Sequence, residues 1–269
     1  MNAPVAATAA LERPVALSIE HVAVHFGGLV AISDLHFTVG EGELVSLIGP
    51  NGAGKTTAFN VITGFLRPTK GKVVYRGTPL TGLKPHEVTK LGLVRTFQRT
   101  SVFDSCTVFE NVLMGLHRRV HIGLVATILA LPSSTRAEAE LREQAWDILR
   151  LVGIEHRASE LGGSLPYGEQ RLLGVALALA TNPSALLLDE PVSGMNPTET
   201  GNFVRLLAKI RERGTTILLV EHDMPMVMGI SDRVVVLNNG RLIAEGPPSV
   251  VQNDPEVIRA YLGQGAKSA

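Results

Sequence analysis

The segment Gly49-Pro50-Asn51-Gly52-Ala53-Gly54-Lys55-Thr56-Thr57 constrains this chain more than any other. It follows an apolar run, Leu44-Val45-Ser46-Leu47-Ile48, that reads as a buried strand, and the residues after Thr56 can continue as a helix. Strand, glycine-rich turn and helix in that order demand a layered sheet-and-helix fold. Glycines there let backbone N–H groups close around phosphate oxygens, and the helix N-terminus adds partial positive charge. Lys55 can reach β- and γ-phosphates, and Thr56 offers a hydroxyl to Mg²⁺. The pattern G-x-x-x-x-G-K-T points to a nucleoside triphosphate and leaves kinases, GTPases and ATPases open.

Bulk properties narrow the field by exclusion. With 269 residues the chain can bury a sizeable core in one large domain, with or without a subdomain. Its formal net charge is zero, so no electrostatic pull toward nucleic acid is visible. Cys106 is its only cysteine, so no internal disulfide can form, which fits a reducing cytosol. No Cys/His cluster has metal-ligand spacing, leaving Mg²⁺ with the nucleotide as the expected metal. Residues 1–14 lack a basic start and a long apolar block and read as a flexible tail; residues 265–269 are read as a C-terminal tail. The apolar stretches Ile122–Leu131 and Leu172–Ala180 fall short of the ~18–20 residues a spanning helix needs. The first is expected to pack on its own subdomain, the competing reading being contact with a membrane protein or the membrane surface.

Strand and helix signals then follow along the chain. Val22, Val24 and Phe26 alternate as a half-buried strand does, and Val73-Val74-Tyr75 is a second short strand. The spacing of Ala137, Leu141, Ala145, Ile148, Leu149 and Val152 predicts a helix over 136–152, stopped by Gly153. Further on, the chain alternates: helix 170–180, strand at Leu186–Leu188, helix 198–213, strand 216–220. Such alternation implies a mostly parallel sheet covered by helices. Asn238-Asn239-Gly240 between two apolar runs marks a hairpin turn.

A second chemical element is Leu186-Leu187-Leu188-Asp189-Glu190. A hydrophobic strand carries two acids to the edge where the phosphate loop sits, placing Asp189 to hold Mg²⁺ through its water shell and Glu190 to polarise the water attacking the γ-phosphate. His222, just past the strand 216–220, suits a hydrogen bond to that water or to the γ-phosphate. Gln98 is neutral and flexible enough to touch Mg²⁺.

The order of these parts resembles the ATP-binding subunits of ABC transporters. A phosphate loop is followed by Gln98, by Leu165-Pro166-Tyr167-Gly168-Glu169-Gln170, by Asp189-Glu190, by Ser193-Gly194-Met195-Asn196 and by His222. The likeness runs from about Leu17 to Leu262. It implies a P-loop NTPase (RecA-like) α/β core with an N-terminal antiparallel β-subdomain and a helical subdomain at about 84–161, within one ABC ATPase domain over residues 15–264. It makes Gln98 the glutamine-loop residue, residues 165–170 the signature facing a partner's ATP, and His222 the histidine switch. Phe26 falls where the family sets an aromatic ring against adenine. Val94-Arg95-Thr96-Phe97-Gln98 and Val257-Ile258-Arg259-Ala260-Tyr261-Leu262-Gly263 look more narrowly like the larger ATPase subunit of high-affinity branched-chain amino-acid importers.

By that resemblance the cofactors are ATP and Mg²⁺. The partners are a second ATPase subunit, a paralogue forming a heterodimer, and two transmembrane permease subunits, with an external solute-binding protein acting indirectly. The place is the cytoplasmic face of the inner membrane, peripherally bound. ATP closes the pair, hydrolysis opens it, and differential binding supplies the energy. The signature departs from the family's Leu-Ser-Gly-Gly-Gln: Pro166 brings neither hydroxyl nor N–H, so this chain is expected to contribute less to its partner's ATP. The alternative is a soluble ABC-type ATPase in cofactor assembly, repair or translation. Single-cassette length and the lack of coiled-coil or zinc motifs weigh against it.

Overall fold

The computed structural model describes residues 13–96, 102–117 and 132–265; within these, the side chains at 132–135 and 262–265 are not described. Gln98 and the run Ile122–Leu131 lie outside the described residues.

Two long strands, β1 (Val15–Phe26) and β2 (Leu29–Gly40), pair antiparallel. With β4 (Lys70–Tyr75) and β5 (Thr78–Pro79) they form the antiparallel part of the sheet. The parallel part holds β3 (Leu44–Ile48), β6 (Leu93–Arg95), β7 (Ala185–Asp189), β8 (Thr216–Val220) and β9 (Arg233–Asn238). A last strand, β10 (Arg241–Gly246), returns antiparallel on β9 and meets β2 through Arg241 opposite Asp34. The full order is β5-β4-β1-β2-β10-β9-β3-β8-β7-β6. This is the α/β layering that the sequence predicts, with the antiparallel strands at one side.

Both faces of the central strands are buried, as parallel strands under helices require. Leu186, Leu188, Ile217 and Leu219 point into one core, and Leu187, Leu218 and Val220 into the other. The first core lies under helices α3 (Val108–His117), α4 (Pro132–Val152), α5 (Tyr167–Ala180) and α6 (Pro197–Glu212). The second fills the space between the antiparallel strands and α1 (Lys55–Ile62), which follows the phosphate loop and buries Phe59 completely. The remaining α-helices among the described residues are α2 (Pro85–Lys90), α7 (Met224–Ile230), α8 (Pro248–Val251) and α9 (Pro255–Gly265); α7 to α9 pack with Ile48, Val234 and Val236 in a third cluster.

Several element ends differ from the sequence reading for local reasons. The helix expected from Gln170 begins at Tyr167, with Pro166 as its N-cap in extended backbone (φ −54°, ψ 151°). The helix expected from Thr198 begins at Pro197, where Asn196 and Glu199 form a capping box. Arg13, inside the expected tail, pairs with Asp232 at 3.0 Å.

Register sets the functional edge. Leu47 lies beside Val220 and Val220 beside Asp189. The loops that leave β3, β7 and β8 therefore emerge together at the C-terminal edge of the parallel strands, where ligands bind in open α/β sheets.

Candidate nucleotide site

A cleft of about 390 Å³ opens at that edge. Its floor is the loop Asn51–Thr57, one wall is Leu29, Val30 and Ala31 from β2, and its far side is Glu190, His222 and Asn239. A larger hollow of about 480 Å³ lies between α4 and the starts of β7 and β8, and none of the predicted site residues line it.

The loop has the glycines its path requires. At Gly49, φ is 153° and a Cβ would sit 2.1 Å from the Leu237 carbonyl oxygen, so only glycine lets β3 turn there beside β9. At Gly54, which opens α1, φ is 106° and a Cβ would meet the Ala31 carbonyl at 2.9 Å. The β9–β10 turn braces the loop from outside: Asn239 and Gly240 both have positive φ, as a type I′ turn demands, and the Gly240 N–H donates to the Ala53 carbonyl at 2.9 Å.

Lys55 is buried and its Nζ donates to the carbonyls of Gly49 at 2.6 Å and Pro50 at 2.9 Å. Its ammonium is thus folded back on its own loop, held where phosphate oxygens would replace two carbonyls. Burial pulls its pKa below the usual lysine range, and the negative charges of Glu190 and Asp189 push it partly back. Thr56 is exposed in the cleft, as a hydroxyl ligand must be.

The acidic pair separates into two environments. Asp189 is only 2 % exposed and its Oδ2 accepts from Arg95 Nη2 at 2.7 Å. Glu190 turns the other way: its φ of 48° puts a non-glycine residue in the left-handed region. Such backbone is uncommon and costs of order 1–3 kcal/mol, which the surrounding fold must hold. The strained turn aims the Glu190 carboxylate into the cleft, where its Oε1 lies 2.8 Å from His222 Nε2. The structure thus brings together Lys55, Thr56, Glu190 and His222, with Asp189 directly behind.

Phe26 ends β1 opposite Leu29 and is 49 % exposed, so it is not a core residue; the cleft wall itself starts at Leu29. The segment 165–170 is not part of this cleft. Leu165 is buried, Pro166 and Tyr167 are exposed, and α5 starts with no side chain capping its first N–H groups. A helix start without such a cap leaves its first N–H groups without intrahelical partners, and the Glu199 carboxylate lies beside Gly168 in the first turn. The ring of Tyr167 lies against Gly194, and Glu169 is held by Arg157 at 2.9 Å.

Sequence reasoning missed Glu221, Asn239 and Arg95. Glu221 is buried and its carboxylate accepts the N–H groups of Val192 and His222, both at 2.9 Å, joining the loop after Glu190 to the base of His222. Burial pushes its pKa up against those donors. Tyr261 of α9 is partly buried, with its hydroxyl enclosed against the Gly49 backbone without a well-formed hydrogen bond, and burial pushes its pKa up to about 12.

The lowered Lys55 pKa gives a signed pH dependence. Phosphate oxygens favour the charged amine, so triphosphate binding in the alkaline range must take up a proton. Affinity then falls as pH rises through the lowered pKa, earlier than for an ordinary lysine. Calorimetry of ATP binding in buffers of different ionisation enthalpy checks this; no proton uptake at alkaline pH would show that Lys55 meets the phosphates already fully charged.

Comparison with known proteins extends the geometry. The ABC transporter family model matches residues 32–193, and the model for branched-chain amino acid ATP-binding cassette transporters matches residues 241–267. The chain is 45 % identical over 249 residues to the high-affinity branched-chain amino acid transport ATP-binding protein LivG of Escherichia coli K12, covering 92 % of this chain and 98 % of LivG. It is 42 % identical over 255 residues to BraF of Pseudomonas aeruginosa, covering 94 % of this chain and all of BraF. Among solved structures, the ADP conformation of MJ1267, an ATP-binding cassette of an ABC transporter, superposes with a TM-score of 0.80 at 30 % identity, covering 93 % of this chain and 99 % of that one. The fold, the phosphate cleft and these likenesses agree: the chain belongs to the ABC transporter family as an ATP-binding cassette.

Proposed function

We propose that this chain is the ATP-hydrolysing subunit of an importer for branched-chain amino acids or closely related solutes. The observation that carries hydrolysis is the Glu190–His222 contact at 2.8 Å, at the open end of a phosphate cleft. The likeness to LivG and BraF along nearly the whole chain supports the transport role and the solute class.

Chemically, the roles follow from placement. Bound phosphates take the Lys55 ammonium from the carbonyls of Gly49 and Pro50. The loop N–H groups and the α1 N-terminus hold the remaining oxygens. Glu190 polarises the attacking water, and His222 fixes the Glu190 carboxylate and meets the γ-phosphate. The residues that would hold Mg²⁺ offer oxygens, the Thr56 hydroxyl and the Asp189 carboxylate through its water shell, with Gln98 assigned to the same ion by resemblance; such hard donors suit Mg²⁺. When bound, the ion would neutralise charge on the phosphates. Phe26 is assigned to the adenine ring.

The second half of each ATP site belongs to another subunit. Residues Leu165–Gln170 present the uncapped start of α5 to the partner's ATP, and the partner is read as a paralogue. Two permease subunits are read as lying against the helical layer, an external binding protein as delivering the solute, and the assembly as sitting on the cytoplasmic face of the inner membrane. Among the described residues, no helix is long and apolar enough to cross a membrane.

Three outcomes are expected. Glu190→Gln keeps ATP binding while single-site hydrolysis falls by about 10²–10⁴-fold, the usual scale of a lost general base; phosphate release at the wild-type rate would assign water activation elsewhere. Pro166→Ser strengthens ATP-driven pairing with the partner subunit, read by analytical ultracentrifugation; unchanged pairing would mean that the α5 backbone alone serves the partner's phosphate. The chain co-purifies from detergent-solubilised membranes with two permeases and an ATPase paralogue, whereas recovery only as a soluble protein would favour a non-transport ABC ATPase.

A further inference from the structure

Arg95 closes β6 and takes no part in the chemistry described so far. Its side chain is only 11 % exposed and runs beneath α1 to the acidic pair. Nη2 donates to Asp189 Oδ2 at 2.7 Å, and Nη1 donates to Asn60 Oδ1 on α1, also at 2.7 Å. Thr63 Oγ1 lies 3.5 Å from the same Nη1, and the guanidinium sits 5.6 Å from the centre of the Phe59 ring. Nε has no hydrogen-bond partner among the described residues.

A buried guanidinium with one nitrogen orphaned is a costly way to fill space, and an apolar residue would pack against Phe59 without that cost. What the arginine supplies instead is geometry. Its planar fork has fixed directions, unlike the single rotating ammonium of lysine. One prong is anchored to the helix that begins at the phosphate loop, and the other grips one oxygen of Asp189. The carboxylate is thereby fixed in rotation relative to Thr56, which lies four residues before Asn60 on the same helix. Its second oxygen is not held by Arg95.

We propose that Arg95 is a positioning residue that orients the Asp189 carboxylate for the hydrated Mg²⁺ of the bound nucleotide, using α1 as its reference. The proposal rests on the Mg²⁺–nucleotide reading of the cleft given above. Residues that orient a metal's ligands are worth about 10–100-fold in metal affinity when lost. A role confined to packing would lower stability and affect nucleotide binding with and without the metal alike.

The test is ATP affinity of the full chain, measured by calorimetry once with Mg²⁺ and once with EDTA. The ratio of the two affinities is the readout, with thermal melting run alongside. Arg95→Met is expected to cut the Mg²⁺-dependent gain about tenfold while affinity in EDTA stays at the wild-type value. Arg95→Lys, which keeps the charge but loses the fork, restores part of the gain. Asn60→Ala removes the anchor and shifts the ratio in the same direction by less. A ratio for Arg95→Met equal to or above wild type overturns the proposal, as does an equal loss in EDTA. Should Arg95→Met fail to fold, Asn60→Ala decides: an unchanged ratio overturns it. Wild-type protein with no Mg²⁺-dependent gain would instead overturn the nucleotide reading, and the proposal with it.

Discussion

The site depends on the register of β3 between β8 and β9. Parallel pairing places Leu47 beside both Val220 and Val235, so the end of β3 is fixed from two sides. Gly49 then turns against the Leu237 carbonyl with no room for a side chain. A slip of one residue would exchange the two buried faces of β3 and remove the phosphate loop from Glu190 and His222. The hydrophobic pattern that fixes the register is therefore also what assembles the chemistry.

Within that frame the charged groups are held by neighbouring protein atoms. Lys55 is satisfied by carbonyls of its own loop, and Glu190 by His222. Both contacts are local: Lys55 bonds carbonyls of its own loop, and Glu190 and His222 both line the cleft. Asp189, by contrast, is enclosed and already shares one oxygen with Arg95. The cleft so combines two charged groups at its lining with a third enclosed behind them.

The sequence made the phosphate loop, the acidic pair, His222 and the central strands legible because each is a local pattern. The strand 216–220 has the predicted ends. The long strand β2 was not legible, because a bulge lies between its pairing of Ile32 with Val24 and of Leu35 with Val22, which breaks the alternation. Arg95 meets Asp189 across 94 positions of sequence, and no local pattern marks such a pair. Glu221 reads as a solvated acid beside His222; its burial comes from the loop carrying Val192 folding over it. Asn239 was legible as a turn residue, but its place in the cleft follows from the bond between Gly240 and Ala53. The family likeness supplied the roles of Gln98 and the signature, which no residue pattern alone would have assigned.

The two main cores share their strands. Along β7, Leu186 and Leu188 serve the layer under α3 to α6, and Leu187 serves the layer under α1. Neither layer can melt without stripping a face from the same five-residue strand, which ends in Asp189. Unfolding should thus be cooperative across both layers, and damage far from the nucleotide carries a cost at the site. A cavity opened among α3, α4 and α5 would loosen the strand that delivers the acidic pair. Substitutions in the helical layer can then impair the ATPase by lowering the fraction of molecules that are whole, with no contact to ATP at all.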